Sequence, residues 1–318
     1  MSSAEKHTIT RFIIKMVAFL LPLAIAFTFI EYKLGHIPNT YNTKKNCLNN
    51  KSDSVEVLVL GTSHSLFGIN PQYFSHVGFN LANASQSLDY DEQLTLKFLP
   101  TLPKLKLVMI AIGYQTLYFR LANTDEYWRG FYYRSFMGLD NVSLPYMDSR
   151  RFSLLMLYTP QVALDIMRKG FKINYAEKLL CNGYMYPDVA ANAISDSTAA
   201  YRVHMHNMLI KSGKHKIMLS DLDTFVKVLR AKNIQVVFIT LPVYTTYSSK
   251  CDPITLSKNE VEINNLCTKY NCIYNNYFTD TRFTIEDFND NDHLNIQGAN
   301  KFSAILDTEV IQKKLGNN

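Results

Sequence analysis

The architecture follows from one stretch, Val55-Glu-Val-Leu-Val-Leu-Gly-Thr-Ser-His-Ser65. Its run of valine and leucine predicts a buried central strand, and Gly61 with the small hydroxyl residues after it predicts a sharp turn at the strand exit. In open α/β sheets, ligands bind beyond the carboxyl ends of the strands, where the loops surround a crevice. Ser63 would stand at that edge of the sheet, which makes it a candidate nucleophile.

Four further segments predict strands, at 77–83, 105–113, 234–242 and 271–278, and the apolar run at 105–113 is typical of a strand buried on both faces. Helical patterns lie between them, at about 90–99, 220–231 and 259–269, and a closing helix is predicted over 297–315. Strands that alternate with helices predict an α/β domain over 55–318, with three α/β/α layers around a parallel sheet. Residues 114–219 lack strand rhythm and are predicted to form a long, mostly helical insertion.

An apolar run at 12–30 is long enough to cross a bilayer. We predict a short tail over 1–11, a membrane anchor over 12–32 and a polar tether over 33–54. A cleaved signal peptide is the alternative, because Ala24-Ile-Ala26 fits a small-residue cleavage pattern, although the apolar run continues to Ile30. We expect a single-pass protein of the bacterial cell membrane, with its large domain on the extracytoplasmic side.

Charge and cysteine usage narrow the function classes. The 33 basic and 27 acidic residues give a net charge of +6 without a basic cluster, which argues against a nucleic-acid partner and fits an anionic surface such as a membrane or an envelope polymer. The five cysteines form no CxxC pair, so we expect free thiols, with one bridge among Cys251, Cys267 and Cys272 left open. His204 and His206 lack a third ligand nearby, and no metal site or cofactor is predicted.

A serine hydroxyl becomes a nucleophile when an imidazole takes its proton and a carboxylate fixes the tautomer of that imidazole. The second motif of the chain is Phe288-Asn-Asp-Asn-Asp-His-Leu-Asn-Ile-Gln-Gly298. His293 is the candidate base, and Asp290 is the candidate carboxylate, since a spacing of three can place it against the ring. Asp287 and Asp292 are alternatives, and an acidic loop that merely caps the closing helix is another interpretation.

Several side chains are candidates for substrate contact. Trp128 and Arg129 belong to an aromatic, basic stretch that could stack on sugar rings or simply cover a hydrophobic sub-core. Tyr244 follows the strand at 234–242, at the same edge of the sheet as Ser63. We expect it either to line the cleft or to cover the core. His64 adjoins the nucleophile and is a candidate substrate or supporting residue.

The two motifs together resemble the SGNH/GDSL hydrolase superfamily. The resemblance lies in Gly61-Thr-Ser-His-Ser65 and in Asp290-Asn-Asp-His293, followed by Leu294-Asn-Ile-Gln-Gly298. It implies a flavodoxin-like fold with Ser63 as nucleophile, His293 as general base and Asp290 as the carboxylate that orients the base.

The same resemblance implies an oxyanion hole, which this family builds from a glycine N–H and an asparagine side chain. The corresponding blocks here are Asn83-Ala-Ser-Gln-Ser-Leu88, which has no glycine, and Gly113-Tyr-Gln115. The implied donors are the backbone at Ser87 and Leu88 and the side chain of Gln115, since glutamine offers the same amide on a longer arm.

Within the superfamily, the chain is most similar to membrane-anchored accessory proteins of alginate O-acetylation and teichoic-acid D-alanylation. This resemblance implies acyl transfer, of an acetyl group by expectation, to an envelope polysaccharide through an acyl-Ser63 intermediate, beside a multispanning O-acyltransferase. An esterase acting on carbohydrate or lipid and a non-catalytic anchored scaffold are the two alternatives.

Overall fold

A computed structural model of the chain describes residues 3–140, 143–188, 194–211 and 213–316. Its centre is a sheet of five parallel strands: β1 Val57–Leu60, β2 Gly78–Asn80, β3 Leu107–Ala111, β4 Gln235–Thr240 and β5 Ile273–Asn276. The strands lie in the order β2-β1-β3-β4-β5, and every neighbouring pair is parallel. Each strand falls inside a segment predicted from the sequence, and the expected α/β fold with a parallel sheet is confirmed.

The central strands β1, β3 and β4 are mostly apolar and buried. All residues of β1, β2 and β3 are buried, which is typical of parallel sheets that carry structure on both faces. Alternate residues such as Val57, Val59 and Met109 share one hydrophobic cluster with Phe302, a residue of the closing helix. The sheet is therefore a rigid platform, and the loops at its carboxyl edge are held by the strands.

The helices are α1 Ser3–Gly35, α2 Thr40–Lys51, α3 Ser63–Gly68, α4 Leu88–Phe98, α5 Arg129–Tyr132, α6 Pro160–Arg168, α7 Asp196–Lys211, α8 His215–Ala231, α9 Thr245–Ser248, α10 Pro253–Tyr270, α11 Ile296–Leu306 and α12 Gln312–Leu315. The predicted closing helix is interrupted by a π-helical turn, Asp307–Ile311, between α11 and α12. Asp252 explains the start of α10, since its side chain accepts the N–H of Ile254 and of Thr255.

The chain divides into two compact units. The anchor unit comprises Met1–Asn39 and Leu144–Tyr175, and the sheet unit comprises Thr40–Ser143 and Ala176–Asn318. Residues 144–175, predicted as part of an insertion in the large domain, thus belong with α1. Residues 1–2 of the predicted tail and 141–142, 189–193 and 212 of the predicted insertion lie outside the described residues.

The anchor unit contains the apolar N-terminal helix. Residues Glu5–Gly35 of α1 are long and apolar enough to cross a membrane, and their apolar window is entirely exposed. Side chains such as Phe12, Phe19 and Ile25 are each more than half exposed. A helix of this length and composition could span a membrane.

The predicted polar tether at 33–54 is largely helical in the structure. Helix α2 occupies much of it, and Leu48 and the aliphatic stem of Lys44 are fully buried in the sheet unit. The Lys44 ammonium donates to the backbone carbonyls of Asn80, at 3.0 Å, and Ala82. The polar composition of α2 predicts an exposed segment. Lys44 can be buried nevertheless, because carbonyls distant in sequence accept its hydrogen bonds.

The disulfide bond of the chain was also not expected. Cys47 of α2 is bonded to Cys181, across a sequence separation of 134. Cys251, Cys267 and Cys272, the three candidates for a bridge, are free and buried. Sequence spacing could not reveal the pairing, because it depends on the position of α2 against the rest of the sheet unit.

Candidate active site

Ser63 is the first residue of α3 and follows β1 after a tight turn. Gly61 has φ +130°, a conformation rarely adopted by residues with a side chain, and a Cβ there would lie 2.7 Å from Ser65 Oγ. The Gly61 N–H donates to Asp91 Oδ1 at 3.0 Å, and Thr62 caps α3 by accepting the N–H of His64. This turn places Ser63 at the carboxyl edge of the sheet, where the sequence predicts it.

The histidine motif forms a short closed loop before α11. An antiparallel bridge joins Phe288 to Leu294 at the base of the loop. Asn295 caps α11 by accepting the Gly298 N–H at 3.0 Å. A Cβ on Gly298 would lie 2.0 Å from Asp287 O, so only glycine allows the helix to approach the loop this closely. The Leu-Asn-Ile-Gln-Gly sequence after His293 therefore holds the loop in place.

The structure brings together the three residues predicted for the triad. Ser63 Oγ lies 2.8 Å from His293 Nε2. On the other side of the ring, His293 Nδ1 lies 2.9 Å from Asp290 Oδ2 and 3.0 Å from Oδ1. The Asp290 carboxylate also accepts the His293 N–H at 2.8 Å. These contacts have the connectivity of a Ser-His-Asp triad, with the aspartate positioned to select the tautomer whose Nε2 can accept a proton.

The alternative carboxylate, Asp287, has partners other than His293. It is buried at the base of the loop, and its Oδ2 accepts the Thr284 N–H at 2.9 Å. The same oxygen lies 2.9 Å from the Lys301 ammonium. Asp287 thus stabilises the loop and α11 and does not contact the histidine ring.

A second carboxylate, Asp292, lies close to the histidine without replacing Asp290. It is 2% exposed, and its Oδ1 accepts a hydrogen bond from Arg202 Nε at 3.0 Å. The same oxygen lies 3.6 Å from His293 Nδ1, and Oδ2 lies 3.2 Å from His64 Nε2. Burial opposes ionisation, yet the two histidines and the guanidinium outweigh it and hold the pKa of Asp292 well below its usual range.

The two carboxylates set the basicity of His293. Burial disfavours the charged ring, but the charge of Asp292 and the hydrogen bond that His293 Nδ1–H donates to Asp290 outweigh burial and raise the pKa of His293 above its usual value. A higher pKa means that the two carboxylates stabilise the imidazolium that forms when His293 accepts a proton. The base is therefore stronger than an ordinary buried histidine.

Both ring nitrogens of His64 face side chains of the site. Its ring stacks on His293, with centroids 4.8 Å apart and an interplanar angle of 19°. His64 Nδ1 lies 3.2 Å from Thr62 Oγ1, and Nε2 faces Asp292. Burial lowers the pKa of His64. These contacts favour a supporting role over direct substrate contact.

Arg202 is a site residue that sequence reasoning did not single out. It lies on α7, within the predicted insertion, and its Nη2 is 3.9 Å from Asp290 Oδ2 in addition to its bond with Asp292. No local motif surrounds it, because its role depends on a contact with a loop 90 residues later in the chain. One guanidinium thus faces both carboxylates that act on His293.

The predicted oxyanion residues lie in the sheet unit, and no described contact joins them to Ser63. Ser87 is the N-cap residue of α4, and its hydroxyl accepts the Leu121 N–H at 3.0 Å. Leu88 begins α4 and is 2% exposed. Gln115 follows β3, and its Oε1 is buried without a hydrogen-bond partner among the described residues. Their role in an oxyanion hole stays a prediction.

Asn83 adds an amide group that the sequence analysis did not assign. It is 1% exposed, and its Nδ2 has no hydrogen-bond partner among the described residues. Asn83 follows β2 and Gln115 follows β3, the two strands that flank β1. Nearby Ser85 has φ +56°, a conformation that favours glycine. The second block thus has a glycine-like backbone although it contains no glycine.

The remaining candidates separate into two groups. The Tyr244 N–H donates to Asn291 O at 3.0 Å, so this tyrosine adjoins the histidine loop. The Arg129 guanidinium lies 4.7 Å from the Trp128 ring and 3.0 Å from Glu126. The described contacts of Trp128 and Arg129 include no member of the triad, and their role in substrate binding stays a prediction.

The histidine pair on α7 does not form a ligand pair. His206 is buried, with Nδ1 2.6 Å from Tyr247 OH, and burial lowers its pKa to about 3. His204 is exposed. Among the described residues, His64, Asp292 and His293 present ligand atoms within 4.8 Å of one another. The ring nitrogens of His293 already contact Ser63 and Asp290, and the Asp292 carboxylate already contacts Arg202 and His64. The positive charge of Arg202 also opposes a bound cation.

A comparison of the chain with protein-family models finds no match, and a comparison with curated proteins finds none either. The function of the protein is therefore inferred from its own side chains, above all from the contacts of Ser63, His293 and Asp290.

Proposed function

We propose that the protein is a membrane-anchored serine acyltransferase of the SGNH type that moves an acyl group, expected to be acetyl, onto a cell-envelope polysaccharide. The observation that carries this proposal is the continuous chain of contacts from Ser63 Oγ to His293, 2.8 Å, and from His293 to Asp290, 2.9 Å. The strand order β2-β1-β3-β4-β5 is that of flavodoxin-like folds. It supports a three-layer fold of that type.

The reaction proceeds in two halves. His293 Nε2 takes the proton of Ser63 Oγ, which attacks the acyl carbonyl; the tetrahedral adduct collapses, and the leaving group departs with the proton from His293. A sugar hydroxyl then gives its proton to His293 and attacks the acyl-Ser63 carbonyl. Collapse releases the acylated sugar, and the proton returns to Ser63. Asp290 holds the imidazole in place and stabilises its charge during both halves.

The negative charge of each tetrahedral adduct needs donors that are fixed beforehand. Three groups are proposed to supply them. They are the Ser63 N–H and the side-chain amides of Asn83 and Gln115. The Ser63 N–H is the first of α3 and therefore has no partner within its own helix. The unsatisfied Asn83 Nδ2 supports this assignment, because a buried donor is costly unless a ligand completes its hydrogen bond.

Hydrolysis is the second candidate function. Ser63 is partly exposed, and water that reaches acyl-Ser63 could take the place of the sugar. The same residues would then make the protein a carbohydrate or lipid esterase. Product analysis with and without a polysaccharide acceptor distinguishes the two, because only a transferase leaves the acyl group on the polymer.

The proposed location is the extracytoplasmic face of a bacterial membrane, with α1 as anchor. The Cys47–Cys181 disulfide supports this orientation of the sheet unit, because disulfides persist in oxidising compartments and are rare in the cytosol. A multispanning O-acyltransferase that delivers the acyl group is the proposed partner, and the exposed apolar surface of α1 offers it a contact within the bilayer.

The test uses the full chain purified in detergent. Turnover of p-nitrophenyl acetate and an acyl adduct detected by intact-mass measurement are expected for the wild type and absent in Ser63→Ala. Ser220→Ala, an exposed serine of α8, is the matched control and retains both. An adduct that persists in Ser63→Ala contradicts the proposed nucleophile. Neither turnover nor adduct in the wild type favours a non-catalytic scaffold, and co-purification with the membrane partner then follows.

A further inference from the structure

Residues Leu144–Tyr175 pack against the end of the apolar helix within the anchor unit. Leu34 and Ile37, which are 0% and 1% exposed, form a hydrophobic cluster with Ile166 of α6. The Glu31 carboxylate accepts the backbone N–H of Leu154 at 2.8 Å and of Leu155 at 3.1 Å. These contacts hold the segment just beyond the apolar run at 12–30, at the level where a spanning helix would leave the hydrocarbon core.

The segment exposes an unusual amount of apolar surface for its length. The exposed large apolar side chains are Tyr146 at 76%, Met147 at 86%, Phe152 at 73%, Met156 at 44%, Val162 at 40%, Leu164 at 50% and Tyr175 at 44%. In α6 the face that carries Ala163 and Ile166 is buried, while Val162 and Leu164 are exposed on either side of it. So many exposed apolar side chains within one short segment point to an interaction surface, whereas isolated exposed apolar residues are ordinary.

Basic residues accompany this apolar surface. The segment contains Arg150, Arg151, Arg168, Lys169 and Lys172. It contains two acidic residues, Asp148 and Asp165, each paired with a basic neighbour of the segment. Segments that lie in the interface of a bilayer combine apolar side chains with basic ones, which attract anionic headgroups. Tyrosine is also enriched at that depth.

We propose that Leu144–Tyr175 is a second membrane-contacting element, which lies in the headgroup region around the base of α1 and prefers anionic lipid. The inference rests on the proposed anchoring through α1. Lipid is the expected partner of this surface, because the surface is continuous with that of α1. The exposed apolar surface of α1 extends to Phe29 and Tyr32, and the segment packs directly on that end of the helix. The bilayer that covers α1 then reaches the exposed side chains of the segment as well.

The experiment uses tryptophan fluorescence of the full chain in nanodiscs that hold one copy each. The chain has one tryptophan, Trp128, so Trp128→Phe is the parent, and Phe152→Trp and Leu164→Trp are made in it singly. Lipids brominated near the headgroup end of the acyl chain quench tryptophan on contact, and aqueous iodide quenches tryptophan exposed to water. Met16→Trp, within the span, reports on the anchor independently. Circular dichroism checks that each variant is folded.

We expect Phe152→Trp and Leu164→Trp to lose most of their emission in brominated discs and to be protected from iodide, more strongly when the discs contain phosphatidylglycerol. Iodide quenching without bromolipid quenching at both positions, while Met16→Trp is quenched by bromolipid, overturns the inference and leaves the anchor intact. A protein partner is then the occupant to seek. Absence of bromolipid quenching at Met16→Trp overturns the anchor and this inference together.

Discussion

Two carboxylates act on one imidazole in the candidate site, and they act differently. Asp290 contacts Nδ1 directly and fixes the ring. Asp292 is buried, bonded to Arg202, and contributes mainly through its charge. Since a fixed negative charge beside a histidine favours the imidazolium, Asp292 raises the pKa of the base without holding the ring.

Asp292→Asn is therefore expected to shift the pH dependence of the reaction. On the proposed mechanism the reaction needs neutral His293, so wild-type kcat/KM should rise through a pKa above 6.5, the usual histidine value. Loss of the Asp292 charge favours the neutral ring, which lowers this pKa and moves the acidic limb to lower pH. The measurement is the pH profile of ester turnover, with Asp188→Asn, an exposed carboxylate, as control. A limb that stays in place or moves to higher pH contradicts the role given to Asp292.

The side-chain amides of Asn83, whose Nδ2 is buried without a described partner, and of Gln115 lead to a second prediction. Removal of one oxyanion donor typically costs about 10²–10³ in kcat. We expect Asn83→Ala and Gln115→Ala, made singly, to lower kcat by about that factor with little change in KM, measured by steady-state kinetics. Asn275→Ala is the control, because its Nδ2 is likewise buried without a described partner but lies on β5. A loss in the control as large as in the other two would refute the assignment.

Helix α2 shows how a polar element becomes part of a core. Lys44 is fully buried, burial lowers its pKa well below the usual range, and its ammonium donates to two backbone carbonyls. The disulfide from Cys47 to Cys181 fixes the same helix covalently. Two independent attachments thus hold α2 against the sheet unit.

Loss of the disulfide is expected to destabilise the fold without removing the triad. A crosslink over a separation of 134 residues strongly restricts the unfolded chain, and such bonds contribute about 2–5 kcal/mol. Cys47→Ser combined with Cys181→Ser should lower the free energy of unfolding by about that amount in denaturant titrations. Reductant should have a similar effect on the wild type and none on the double variant. Equal stability of the oxidised, reduced and variant proteins would show that the bond does not restrain α2.

Across the whole molecule, sequence reasoning succeeded where signals are local. Strands β1, β3 and β4 were located because apolar, β-branched and leucine-rich runs are typical of buried parallel strands, and β2 and β5 because short strand-like segments lie between the helical patterns. The contacts among Ser63, His293 and Asp290 agree with what the two compact motifs predict, and the catalytic roles of these residues stay a prediction. Their assembly in space could be expected because parallel strands deliver their exits to one edge of the sheet.

The features that were missed depend on partners distant in sequence. Arg202 has no motif around it, and its meaning comes from Asp292. The buried face of α2 is interrupted by Lys44, whose ammonium is satisfied by the carbonyls of Asn80, at the end of β2, and of Ala82. Residues 144–175 were assigned to an insertion of the large domain, whereas they pack with α1. Such contacts are set by the tertiary structure and leave no periodic pattern in the sequence.

Ser63 and its base are 230 residues apart in the chain, which has a consequence for biosynthesis. Translation proceeds from the N-terminus, so the serine is made early and the histidine only after all five strands. On the proposed mechanism, a nascent chain carries an ordinary hydroxyl during synthesis and membrane insertion. Its reactivity begins only when α11 docks, so that an unfinished or truncated chain would be chemically inert toward acyl donors inside the cell.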